Sequence, residues 1–133
     1  CLFADEVIVA GIGAATRLIL TFCLFLFDAD LDGRLDLLQT NGHLEEDINV
    51  VQPNQHYRQS TQLFWNAVPK SEVAFVPIET DRTADLARPI VGRGTAYADI
   101  DGDGDLDVIL TQVELPVTFG VGRTDRIDSL TVE

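Results

Sequence analysis

The sequence predicts an all-β chain, and three observations lead there. Two nine-residue stretches carry the same aspartate grid: Asp28-Ala29-Asp30-Leu31-Asp32-Gly33-Arg34-Leu35-Asp36 and Asp99-Ile100-Asp101-Gly102-Asp103-Gly104-Asp105-Leu106-Asp107. Short apolar runs rich in β-branched and aromatic residues bracket both, at residues 20–27 and 35–39 around the first, and 95–98 and 106–111 around the second. Runs of this kind, bounded by turn formers, read as buried strands, so each grid bridges two strands. Two further strand-like runs, at residues 62–66 and 73–76, flank a Pro69-Lys70 turn.

Taken in order, the chain opens with an apolar stretch over residues 7–27. It has about the length of a membrane span. Arg17 lies at its centre, where a charge costs roughly 2.5 to 3.5 kcal/mol on insertion scales. Gly11 and Gly13 interrupt it and Asp28 follows at once. The expectation is a loop, a strand and an acidic turn, with no membrane span. Val7-Ile8-Val9-Ala10 followed by Gly11-Ile12-Gly13 approaches a dinucleotide fingerprint, but Thr16 replaces the third glycine. Too few residues follow for a crossover helix, and a lone near-match carries little weight. Asn41-Gly42 predicts a hairpin-type turn after the first strand pair. Residues 43–61 are polar and predict a surface excursion with a short helical turn near residues 44–48. Residues 79–88 predict a second polar connection. Gly92-Arg93-Gly94 predicts a tight turn before the next strand.

The grids carry the chemistry. Carboxylates occupy positions 1, 3, 5 and 9 of each, with glycine at position 6. Four carboxylates in so short a loop repel strongly unless a hard cation neutralises them. Calcium suits the spacing, because it takes six to eight oxygen ligands at flexible angles, whereas magnesium demands a stricter octahedron. An EF-hand requires a bidentate Glu at position 12; Gln39 and Leu110 stand there, which excludes that motif. The expected ligands are Asp28, Asp30, Asp32 and Asp36 with the Arg34 carbonyl, and Asp99, Asp101, Asp103 and Asp107 with the backbone of Asp105. The plainer alternative is a pair of solvated acidic turns, since Asp and Gly are common turn residues. Two matching copies, starting 71 residues apart (28 and 99), weigh against it.

With those residues in view, the D-x-D-x-D-G-x-L-D loop between strands resembles the FG-GAP/VCBS repeat of calcium-binding β-propellers. The stretches FDADLDGRLDLLQTNGH and VGRGTAYADIDGDGDLDVILTQ resemble propellers of the cartilage-acidic-protein type. The tail VELPVTFGVGRTDRIDSLTVE is similar to the end of the UnbV/ASPIC domain that follows such propellers, where a Phe-Gly-x-Gly turn links two strands. The resemblance spans residues 16–133. It implies a partial β-propeller, with two partial blades over residues 1–112 and a UnbV/ASPIC-like remnant over residues 113–133. It also implies an extracellular, periplasmic or cell-surface setting and loops presented to a protein or glycan partner. With only two grids, and the tail starting directly after the second, the expectation is a fragment or an internally deleted form. Relatives with a UnbV/ASPIC-like end are sometimes linked to secondary-metabolite gene sets, so an accessory role in biosynthesis is the alternative.

Composition narrows the rest. Apolar residues make up 46% of the 133 residues, enough for one small core. The net charge is −13, and nine of the 22 acidic residues lie in the two grids. That balance argues against nucleic acid, whose phosphates demand a basic surface, and against anionic membranes. Cys1 and Cys23 could pair, but Cys23 sits in an apolar strand-like run and is expected as a buried free thiol. An N-terminal Cys invites a lipid anchor, without a signal segment to support it. His43 and His56 have no metal-ligand spacing, and no nucleophile motif appears, so a binding module is expected rather than an enzyme.

Overall fold

The apolar run ahead of the first aspartate loop folds back on the run behind it. In a computed structural model that describes residues 2–79, 82–113 and 118–120, strand β1 (Thr21–Phe27) pairs antiparallel with β2 (Asp36–Asn41). Strands β3 (Gln62–Asn66) and β4 (Phe75–Pro77) extend the pair into a four-stranded meander, β1-β2-β3-β4. A second antiparallel sheet has the order β5 (Gly92–Ala98), β6 (Asp107–Gln112) and β7 (Thr118–Gly120). Helical pieces are short: α1 (Gly13–Thr16), α2 (Ile48–Val51) and a 3-10 turn over Ala84–Ala87. The described residues are therefore all-β, in two sheets rather than a closed ring of blades.

Alternation along β1 decides how the sheets meet. Cys23, Phe25 and Phe27 point to one face, and Phe22, Leu24 and Leu26 are exposed between them. The first set joins Leu38 of β2 against the second sheet, where Phe27, Leu38, Ile90, Val108 and Leu110 form the buried core. Tyr97 of β5 lies over both Phe25 and Phe27, with centroids 5.2 Å apart in each pair, an aromatic cluster at the sheet junction. The hydroxyls of Thr40 and Thr95 bond across the junction. Close backbone approach between the sheets uses glycine: a Cβ at Gly42 would come within 2.8 Å of the Gly92 amide nitrogen. No side chain fits there.

The leading hairpins of the two sheets, β1–β2 and β5–β6, share one register at a fixed offset. In the first, Thr21 pairs with Asn41 and Phe27 with Asp36; in the second, Gly92 pairs with Gln112 and Ala98 with Asp107, each 71 positions on (92 − 21 and 107 − 36). Both ladders slip at the same place, between Thr21 and Cys23 and between Gly92 and Gly94. The helical turns at Gly13–Thr16 and Ala84–Ala87 keep the same offset. The shared register thus extends from the loops through both leading hairpins and stops at the third strands.

Some expectations change. Asn41-Gly42 makes no hairpin turn: the Gly42 amide donates to the Leu20 carbonyl at 3.0 Å and prolongs the β1–β2 pairing, while buried Asn41 bonds Thr21 and Ser60. The β2–β3 connection runs instead through residues 42–61, with its helical turn at Ile48–Val51 rather than at residues 44–48. Gly92-Arg93-Gly94 lies inside β5 and forms its irregular start. The stretch over residues 7–20 forms turns and α1 and leans on the first sheet. There the Ala10 carbonyl accepts from the Phe75 amide (2.9 Å) and Ala15 from Gln62 Nε2 (3.0 Å). Among the described residues no helix is long and apolar enough to cross a membrane. Of residues 113–133, Thr118–Gly120 pair with β6 as the third strand of the second sheet, and Val113 bonds Val91. The rest of that expected remnant, and Cys1, lie outside the described residues.

Candidate metal centres

Each aspartate loop closes a hairpin, and its first and last carboxylates brace the turn. In the first loop Asp28 accepts from the amides of Asp32 (2.9 Å) and Gly33 (2.8 Å), and Asp36 Oδ2 accepts from the Ala29 amide (3.0 Å). In the second, Asp99 accepts from Gly102 (2.7 Å) and Gly104 (3.2 Å), and Asp107 Oδ2 from Ile100 (2.9 Å). The backbone must curl tightly to allow this, so position 6 takes positive φ in both loops, 86° at Gly33 and 94° at Gly104. Position 4 does the same: Gly102 adopts 77°, and Leu31 is forced to 57°. A side chain with a Cβ resists that region, whereas glycine enters it freely.

That curl gathers three carboxylates per loop. Asp28, Asp30 and Asp36 each offer an oxygen such that all lie within 4.8 Å of one another, and so do Asp99, Asp101 and Asp107. Two oxygens sharing one calcium at about 2.3 to 2.6 Å can be no more than roughly 5 Å apart, so both trios suit a single ion of that size. Positions 1, 3 and 9 are thus brought together. Position 5 is not part of either trio. Asp32 and Asp103 instead accept the amides of Arg34 (3.0 Å) and Asp105 (2.9 Å), and Asp32 also pairs with the Arg34 guanidinium. Arg34 and Asp105 enter the loops through those amides, with their side chains outside the trios.

Electrostatics follow from the crowding. Burial pushes the Asp36 carboxyl above its usual range, and repulsion from Asp30 and Asp32 adds to this. The Asn66 and Ala29 amides offset only part of it. At Asp101 the Asp103 amide favours the charged form. Partial desolvation and the neighbouring Asp103, Asp107 and Asp99 outweigh it, so this carboxyl too lies above its usual range. A divalent cation would offset the repulsion that adds to both.

Three supporting features have no counterpart in the sequence reading. The Trp65 indole N–H donates to Asp30 Oδ2 (3.1 Å), with Arg34 and Lys70 beside its ring. The Asn66 amide donates to Asp36 Oδ1 (2.7 Å), tying the loop to the end of β3. The left-handed Leu31 is the third. Only the last had a signal, since glycine stands at the equivalent position of the other grid.

Neither protein-family models nor curated proteins nor solved structures match this chain. Its two sites rest on their own geometry.

Proposed function

We propose that this chain is a calcium-binding β-repeat module in which each ion ties the turn between neighbouring strands and fixes the register of its hairpin. One observation carries the reading: the same carboxylate trio converges at equivalent points of two hairpins with identical pairing. Turn bracing accounts for positions 1 and 9, and a shared cation accounts for position 3 joining them in both loops. The resemblance to FG-GAP/VCBS repeats extends the proposal. The two sheets are adjacent blades of a partial β-propeller, held extracytoplasmically, where millimolar calcium keeps the sites filled, and engaging a protein or glycan in adhesion or scaffolding. The role in this reading is binding: the carboxylates of each trio approach one another closely enough to share a cation. An accessory role in secondary-metabolite biosynthesis is the second reading, and gene neighbourhood separates the two.

Binding to the folded state alone adds about 2.7 kcal/mol per site when free calcium is a hundredfold above its dissociation constant. The test is a calorimetric titration and a thermal melt, each in calcium and in chelator, on the full chain with Asp30→Ala and Asp101→Ala. Two ions per chain, one per single variant, and a calcium-dependent rise in Tm support the reading. An unchanged Tm with no measurable stoichiometry ends it.

A further inference from the structure

We propose that the uncovered face of β1 docks the second sheet of another copy of this chain, so that copies associate head to tail. The interface already inside the molecule says what this face fits. There the second sheet presents Arg93, Thr95, Tyr97, Val108 and Leu110 to the first. Tyr97 stacks on Phe25 and packs tilted against Phe27, Thr95 meets Thr40 and Cys23, and the Arg93 guanidinium lies 3.9 Å from the Phe22 ring centre.

The repeat offset carries those contacts to both outer surfaces. The equivalents of Thr95 and Tyr97 in the first sheet are Leu24 and Leu26, which nothing covers: they are 56% and 46% exposed. The segment over residues 7–20 bonds the outer edge of β4 at the Phe75 amide and the Gln62 side chain of β3, and among the described residues it makes no such bond to β1 beyond Leu20. At the other end, the equivalents of Cys23, Phe25 and Phe27 are Gly94, Ala96 and Ala98, with Ile109 standing where Leu38 stands in the first sheet. Ala96 and Ala98 are exposed and Ile109 is half-buried. The equivalents of Val108 and Leu110, Leu37 and Gln39, are already buried within the chain, so only the β5 contacts carry over, and shifting those by one repeat sets Leu26 of one copy on Ala96 and Ala98 of the next. It sets Leu24 beside Gly94 and Thr111. Along this stripe apolar groups meet apolar groups. Small residues on the receiving strand leave room for the leucines. Because the two surfaces differ, the contact is heterologous, and it continues into a ring or an open chain.

The experiment measures the mass of the full chain by sedimentation velocity over a concentration series, with Leu26→Arg and Ala96→Arg as blocking variants. Both positions are exposed, and circular-dichroism melts within a few degrees of the parent show that each variant folds. The parent's mass is expected to rise with concentration to twice its 14.6 kDa and beyond. Each variant alone, blocked at one end, stays monomeric. An equimolar mixture of the two still has one intact pair of surfaces and stops at a dimer. A parent that stays monomeric throughout overturns the proposal and leaves the stripe to a different partner. Variants that still self-associate, or a mixture that does not, overturn it equally.

Discussion

Replacing Asp30 with Asn should stabilise the chain without calcium and destabilise it with calcium. Asp30 adds repulsion at Asp36, whose other neighbours already include Asp32, and it stands in the trio with Asp28. The amide oxygen of Asn can still accept from Trp65, so the change isolates the charge. Exposed like charges at such distances cost a few tenths to about 1 kcal/mol, and this is what the metal-free variant regains. With calcium present the variant loses a ligand. If affinity falls a hundredfold at a calcium level that gave the parent about 2.7 kcal/mol, roughly 2 kcal/mol of that disappears. Urea denaturation followed by far-UV circular dichroism resolves both, since a slope of about 1 to 3 kcal/mol per molar turns 2 kcal/mol into a midpoint shift of order 1 M. Far-UV detection is needed because Trp65, the only tryptophan, touches the mutated group. A variant destabilised equally in calcium and in chelator would refute the reasoning, because it would make Asp30 a structural acceptor and nothing more.

Three other outcomes follow from the geometry. Gly104→Ala should cost about 1 to 2 kcal/mol in urea unfolding with or without calcium, since no atom crowds the position and only its positive φ resists a Cβ. The Asp36 carboxyl is raised in the folded state, which therefore binds more protons than the unfolded chain between the ordinary carboxylate value of roughly 4 and the folded value. Stability in chelator should accordingly fall as pH rises through that window, whereas saturating calcium, which competes with those protons, should make it rise. Melting curves across acidic pH in the two conditions check the opposite slopes. Finally, the second site should bind calcium more tightly and with the steeper salt dependence. Its loop carries five aspartates and no basic residue, whereas Arg34 offsets part of the charge of four in the first. Calcium titrations of Asp30→Ala and Asp101→Ala at two ionic strengths rank the sites.

Much of the fold was readable because its signals are local. The runs at residues 20–27, 62–66 and 106–111 became strands within a residue or so, since alternating apolar and β-branched side chains fit a pleated sheet wherever it packs. The carboxylates of positions 1, 3 and 9 also follow from local chain geometry once glycine allows the curl. Asn41-Gly42 misled for a non-local reason. The dipeptide favours a tight hairpin, but here the glycine is needed where Val91 and Gly92 of the other sheet press against the backbone. Tertiary approach overrode turn propensity. Trp65 and Asn66 were invisible for the same kind of reason, as each reaches the first loop from a strand some 30 residues away in sequence (Asp36 to Asn66).

The unequal loops show what repetition alone does not reveal. Both grids need a left-handed residue at position 4, yet one supplies Gly102 and the other Leu31. A leucine there holds only if other bonds over-determine the turn. The first loop has those bonds: Trp65 on Asp30, Asn66 on Asp36, and the Arg34 guanidinium, which bonds Asp32 and the Asn66 carbonyl. For the second loop no such contacts from a third strand are seen among the described residues, and glycine at positions 4 and 6 removes the strain that such contacts would have to oppose. The first hairpin is thus braced by contacts that the second lacks among the described residues, and under the proposed calcium role the second depends more on its ion. A cation withdrawn from both should loosen the second before the first.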